Sequence, residues 1–362
     1  MRLTGGRIAD LAAIALAVAL QRAPIPRAWI ENDYANGTYA TLARTLVPLS
    51  NRVPFAIGDV LVAGIAAALA AYWIANMRRA RARRWRTAGL LLLRTAGIAA
   101  AAAIWFDAAW ALNYRRDPVI HRVAYDGARV TAKTVSTFSR RIVEDLNRTA
   151  PLAHAERESS AQMEAALARA FAPVASRLGD RWPVAVSRPK ATVFQFWFAA
   201  AGVGGQWDPF AYETIVNAEF LPFELPFALA HEWGHVAGFG DESDANLIGA
   251  LTCLRSSDPL VHYSGLFWSY GFLPENDRQA LKVSPLVYAD LVASRDRFLR
   301  HYNKNVFAFQ WFAYDKYLRA NRVPAGVASY SLFVRVLVGT PLDRDGLPLP
   351  RGMKARAPRA PG

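Results

Sequence analysis

Sorted into apolar and polar positions, the chain shows three textures. Long apolar runs occupy the stretch before residue 113, helically spaced stripes follow, and a Pro/Gly/Arg-rich end closes it. Residues 56–77 carry a single charge, Asp59, near their start, and place Tyr72 and Trp73 near their far end. A run of that length crosses a bilayer as a helix, with aromatic rings at the interface. Residues 88–112 form a second such run, with Arg94 near one end and Asp107 near the other. Between them lies Arg78-Arg79-Ala80-Arg81-Ala82-Arg83-Arg84-Trp85-Arg86. A basic loop clamped between two spans marks the cytoplasmic side. The shorter run Ala9–Leu20 is expected to be the core of a first span over 9–25. It is read as uncleaved, because Gln21-Arg22-Ala23-Pro24 offers no convincing cleavage site. With the arginine loop inside, everything after Asn113 lies outside the cytoplasm.

Three segments follow: an anchor of about three transmembrane helices over 1–112, an extracytoplasmic domain over 113–340, and a disordered tail over 341–362. Within the domain, Val135, Phe138, Ile142 and Leu146 form one helical stripe, and a second helix covers Ala155–Leu178. Val184–Ser187 and Ala191–Phe198 read as short strands or extended segments, and Glu213–Asn217 as a strand that is equally an ordinary core strand or an open edge for a peptide. Helices are expected again over Leu266–Leu273, Asn276–His301, Phe307–Asn321 and Ser329–Leu337. The pattern is that of a mainly α, α+β domain behind a helical membrane anchor.

Composition narrows the function classes. Hydrophobic residues make up 53% and charged residues 20%, with 43 Lys+Arg against 29 Asp+Glu. A chain this apolar, with a dense arginine run between two apolar spans, reads as a membrane protein and not as a nucleic-acid binder. The lone Cys253 excludes an internal disulfide framework and a cysteine zinc cluster. Gly202-Val203-Gly204-Gly205 lacks the Lys and Ser/Thr of a phosphate loop and is a turn.

The chemistry sits in Phe227-Ala228-Leu229-Ala230-His231-Glu232-Trp233-Gly234-His235. Residues four apart on a helix lie one turn above each other, so His231 and His235 aim at a common point. Zinc accepts that pair, and Glu232 stands where a general base for water belongs. Gly238 or Gly240 should stop the helix. Asp241 then caps a second helix reaching Cys253, on which Glu242, Ala245, Asn246 and Gly249 share one face of mostly small residues. Glu242 is the expected third ligand. Asp241 is its rival, standing six residues after His235, where the extended motif H-E-x-x-H-x-x-G-x-x-H has its last histidine. Asn246 and Asp241 are candidates to orient the imidazoles. Tyr263 or His262 is the expected donor to a developing oxyanion, and Asp258 a helix cap ahead of Pro259.

Several spaced motifs recur together: Pro54-Phe55-x-x-Gly58-Asp59, Asn113-Tyr114-x-Arg116, Glu213-x-x-x-Asn217, Leu225-Pro226-Phe227, the His231–His235 motif, Glu242-x-x-Ala245-Asn246, Ser257-Asp258-Pro259, Tyr263-Ser264-Gly265 and Tyr317-Leu318-x-x-Asn321. In these the chain resembles a bacterial family catalogued as domain of unknown function 3810, which joins spanning helices to a zincin-like domain. The resemblance implies a multi-pass protein of the bacterial inner membrane and puts the ligand glutamate at Glu242. The same helix is similar to the third-ligand helix of gluzincin-type membrane peptidases, where an aspartate usually stands at the place of Asn246. The expected function is that of a zinc metallopeptidase acting on peptide or protein substrates. The alternative is an inactive zinc-binding scaffold or a peptide-binding membrane protein.

Overall fold

The computed structural model describes residues 5–80, 84–155, 159–324, 326 and 333–353. Helix α1 (Gly5–Arg22) turns by 104° into α2 (Arg27–Ser50). The middle of α2, Ile30–Tyr39, is wound as a π-helix, with Asn36 reaching back to the Glu31 carbonyl. These wider turns put Ile30, Tyr34 and Tyr39, spaced four and five apart, on one buried face. The sequence pattern predicts only a short amphipathic segment here. α2 is long because its apolar positions pack on the domain, with Ala43 and Val47 continuing the buried face.

Helices α3 (Ile57–Arg79) and α4 (Arg84–Ala109) are long and apolar enough to cross a membrane; the bent α1–α2 pair passes the same test only when taken together, so the span expected over 9–25 does not pass by itself. Their side chains Val60, Val62, Ile65 and Leu92 are exposed, as lipid-facing residues are. Pairing between the helices gives their relative directions. Asp10 receives the Arg94 guanidinium at 2.6 Å and Gln21 donates to Asp107 at 2.9 Å, so α1 and α4 run parallel. Trp73, late in α3, donates to Thr95, near the middle of α4, at 3.0 Å.

The remaining chain is mostly helical: α5 (Ala132–Ala155), α6 (Ser160–Arg177), α7 (Gln195–Ala201), α8 (Leu225–Val236), α9 (Glu242–Leu254), α10 (Pro259–Gly271), α11 (Glu275–Ala280), α12 (Pro285–His301), α13 (Lys304–Ala320) and α14 (Phe333–Gly339). The capping box of Ser159 and Gln162 starts α6. One small sheet, ordered β1-β3-β2, joins β1 (Pro189–Lys190) in parallel and β2 (Gly205–Asp208) antiparallel to the central β3 (Glu213–Val216).

Several expectations change here, and the first is that Val184–Ser187 is no strand, the sheet beginning only at Pro189. Ala191–Phe198 is not a strand: Gln195–Ala201 is helical and ends at Gly202, whose φ of 66° is the left-handed value that suits glycine. Glu213–Asn217 is no open edge, since β3 is paired on both sides and buried throughout. Residues 341–353 are not a free tail. Ala124 donates to the Leu349 carbonyl at 2.8 Å, Arg177 pairs with Asp343 at 2.9 Å, and Leu347 is buried in the main core. Residues 354–362 of the expected tail, and residues 329–332 of the expected last helix, lie outside the described residues.

The sheet ties the apolar helices to the domain. Glu213, fully buried, accepts from the backbone nitrogens of Gly58 at 2.7 Å and Ile57 at 3.0 Å, and pairs with Lys190 at 2.8 Å. Asp59 in turn accepts from Thr192 and from the Val193 backbone, both at 2.7 Å. A carboxylate on the free amides of a helix N-terminus stabilises it by up to ~2 kcal/mol in buried geometry. The start of α3 is therefore rigidly held against the sheet.

Candidate metal centre

Helix α8 lies inside the main core. Pro226 stands in its first turn, and the apolar lead-in Phe227–Ala230 is buried. Gly238, at φ 82°, ends it as expected. Asp241 caps α9 by accepting from the Ser243 nitrogen at 2.8 Å. The two helices cross on small residues: a Cβ on Gly234 would meet the Ala245 Cα at 3.2 Å, and one on Gly249 would meet the His231 nitrogen at 3.4 Å. Bulk at either position would push α9, and Glu242 with it, away from the histidines.

The imidazoles of His231 and His235 stand 4.9 Å apart at 88°. Glu242 Oε2 lies 3.2 Å from His231 Nε2 and 3.7 Å from His235 Nε2. The three residues offer ligand atoms within 4.8 Å of one another, so the cluster could hold a metal ion. Asp241, the rival, is used as the cap.

The outward-facing ring nitrogens are both engaged. His231 Nδ1 donates to the Asn246 side-chain oxygen at 2.8 Å, and His235 Nδ1 donates to the Phe239 carbonyl at 2.7 Å. Engagement of Nδ1 in both rings turns Nε2 toward Glu242, the nitrogen that a metal would take. Glu242 Oε2 is buried without a hydrogen-bond partner. A buried carboxylate oxygen in that state is costly unless a cation or proton faces it. Donor types and this orphan oxygen both fit a divalent ion.

Among themselves the three groups behave as an ion pair, so a metal binding at Nε2 would displace a proton. Burial alone would lower His235, but the Glu242 carboxylate overrides it and raises the imidazole to about 9. Burial likewise acts to raise Glu242, yet His235 and His231 hold it well below the ordinary carboxylate range. Burial pushes Glu232 up, against the pull of both imidazoles. Glu232 is buried beside Gly205 of β2, and its Oε2 has no hydrogen-bond partner.

The structure adds residues that the sequence analysis does not nominate. Tyr314, on α13, donates its hydroxyl to Glu242 Oε1. Tyr317, one turn on, bonds the Tyr114 hydroxyl at 3.1 Å. The C-terminal carbonyls of α8 are held from the anchor side: Tyr39 donates to Val236 at 2.7 Å, Trp110 to His235 at 3.1 Å, and Arg116 to Ala237 at 2.9 Å. Arg116 also lies 4.7 Å over the ring of Phe239, whose carbonyl orients His235. Tyr114, Arg116 and Tyr317 stand in the motifs that carry the family resemblance, but nothing in the sequence reveals their partners.

Tyr263 and His262 sit on α10, started as expected by the Asp258 cap, which accepts from Val261 at 2.9 Å. Tyr263 is buried in a second core with Phe223 and Phe267, and its hydroxyl donates to Asp290. His262 is half-buried, and burial lowers its imidazole below the ordinary value. The structure thus gathers His231, His235, Glu242, Glu232 and Asn246, and commits Tyr263 to Asp290.

The family model described as "Protein of unknown function (DUF3810)" matches residues 34–338, and the chain belongs to that family. No curated protein and no solved structure matches it.

Proposed function

We propose that this member of the DUF3810 family holds a zinc ion between His231, His235 and Glu242, at the extracytoplasmic face of a membrane crossed by α3 and α4. The observation that carries the reading is the convergence of two Nε2 atoms and a carboxylate oxygen without a hydrogen-bond partner in one buried place. Zinc favours nitrogen and oxygen donors in this number and leaves a fourth position open in catalytic sites.

Peptide hydrolysis is the activity this donor set supports best. When bound, zinc supplies Lewis acidity and lowers the pKa of water. Glu232 supplies the rest: its unpartnered oxygen accepts the proton of the attacking water and delivers it to the departing amine. Asn246 and the Phe239 carbonyl keep the imidazoles in register, and Tyr314 holds Glu242. A second reading, a zinc-bearing scaffold or peptide-binding membrane protein without turnover, uses the same donor set and asks nothing of Glu232.

Metal content and peptide hydrolysis of the purified full chain, as wild type and as Glu232→Gln, separate the readings. Stoichiometric zinc in both with hydrolysis in the wild type only supports the peptidase. Zinc in both with hydrolysis in neither supports the scaffold, and absence of zinc overturns both. For the orientation, a reporter active only in the cytoplasm is expected to be silent when fused after Asn113; a strong signal reverses it.

A further inference from the structure

Helix α13 has two unlike faces. One carries Tyr314 and Tyr317 toward Glu242 and Tyr114. The opposite face presents Ala308, Phe309, Phe312 and Ala313 to the outside, with Phe309 62% and Phe312 63% exposed. Lys304 precedes this apolar centre and Lys316 and Arg319 follow it, all exposed. An apolar stripe flanked by basic residues is what a helix lying in a headgroup layer presents. Phenylalanines so exposed on a water-facing helix would carry a hydration cost with nothing to offset it.

The patch extends beyond α13. Trp197 of α7 packs edge-on to Phe309 at 6.3 Å and donates to Gln310 at 3.1 Å, locking the two helices together. Beside Trp197, Phe196 is 70% exposed, and Val193, just before α7, is 74% exposed. The backbone nitrogen of Val193 is bonded to Asp59, in the first turn of α3. The aromatic face therefore begins within one turn of the end of a membrane-length helix and continues its apolar surface sideways. Phe55, exposed immediately before α3, lies on the same border.

We propose that Val193, Phe196, Phe309 and Phe312 insert into the outer leaflet of the bilayer that α3 and α4 cross, so that the domain lies on the membrane as well as being tethered to it. The occupant is lipid because the face is continuous with helices of spanning length and is edged by Lys304 and Lys316, while Arg319 is paired with Asp315. The inference rests on the spanning role of α3 and α4. It places the metal cluster one helix thickness, about 10–12 Å, from the lipid, since Tyr314 and Phe312 point from opposite sides of α13.

The single cysteine, Cys253, is buried, so an added surface cysteine carries the only accessible thiol. Three full-chain variants are reconstituted in liposomes containing anionic lipid and labelled with an environment-sensitive fluorophore. They are Phe312→Cys on the proposed face, Ile65→Cys in α3, and Leu152→Cys on an exposed part of α5. Lipids spin-labelled near the headgroup are the quenchers. The expected result is blue-shifted emission and several-fold quenching at position 312, quenching at 65 with the probe spin label moved deeper, and neither at 152. Quenching at 65 without quenching at 312 overturns the docking while leaving the span intact. A blue shift at 312 without lipid quenching assigns the face to protein contact and also overturns it. Loss of quenching at both 65 and 312 removes the spanning reading on which the proposal stands.

Discussion

Two clusters in this molecule are built from the same three residue types. In one, His231 and His235 face Glu242, whose other oxygen takes the Tyr314 hydroxyl. In the other, His154 Nε2 meets Asp290 Oδ2 at 2.9 Å, and the Tyr263 hydroxyl donates to the same carboxylate oxygen. The second has one imidazole, 39% exposed at its side chain, and its carboxylate is served by tyrosine and histidine together. The first has two imidazoles one helical turn apart, both fixed through Nδ1, and a carboxylate oxygen left without a hydrogen-bond donor. A histidine, a carboxylate and a tyrosine within reach make a structural hydrogen-bond network. A second histidine at the right spacing, with outer partners that turn both Nε2 atoms inward, makes an ion site.

Breaking the first cluster should have the largest effect. Glu242→Ala is expected to take zinc from stoichiometric to background by metal analysis, because two imidazoles alone do not complete a site. Retained stoichiometric metal would remove Glu242 from the ligand set. Asn246→Ala leaves the ligands but frees the His231 ring, and should weaken zinc about 10–100-fold in a competition titration with a chelator. An unchanged affinity would mean that the bond to Asn246 has no part in presenting Nε2. Tyr314→Phe removes one bond to the ligand carboxylate and is expected at the lower end of that range, about 10-fold. Smallest for the metal, and opposite in kind, is Asp290→Ala. It strands the buried Tyr263 hydroxyl and should cost about 1–3 kcal/mol of stability by thermal or denaturant unfolding, with zinc content unchanged. Loss of zinc in that variant would mean that the two clusters are not the independent units described here.

The same contrast shows how far a chain can be read without its fold. The four-residue spacing of His231 and His235, the Gly238 stop and the Asp241 cap are interactions within about one turn of the backbone, and each is found where the sequence pattern places it. So are the long apolar helices. The strand expected at Ala191–Phe198 illustrates the opposite case. A short run of aromatic and β-branched residues is compatible with strand or helix, and packing of Phe198 and Ala199 decided for the helix. Of the two readings of Glu213–Asn217 the structure shows the core strand and not the open edge, because whether a strand is central depends on partners elsewhere in the chain.

Tyr263 and Tyr314 mark the boundary most clearly. Both are tyrosines on apolar helices after the histidine motif, and Tyr263 is nearer to it in sequence. Which hydroxyl meets Glu242 depends on the path of α10 to α13 around two separate cores, and no local rule encodes that path. By itself the sequence determined the histidine pair, its adjacent glutamate, the caps and the apolar helices, because these follow from helical periodicity and from backbone groups a few residues apart. Only the tertiary structure decided that Tyr314 closes on Glu242, that Arg116, Trp110 and Tyr39 hold the end of the histidine helix, and that Phe309 and Phe312 face outward beside α3. Those contacts join residues tens to hundreds of positions apart, and close packing of a shared core, not any local preference, brings them together.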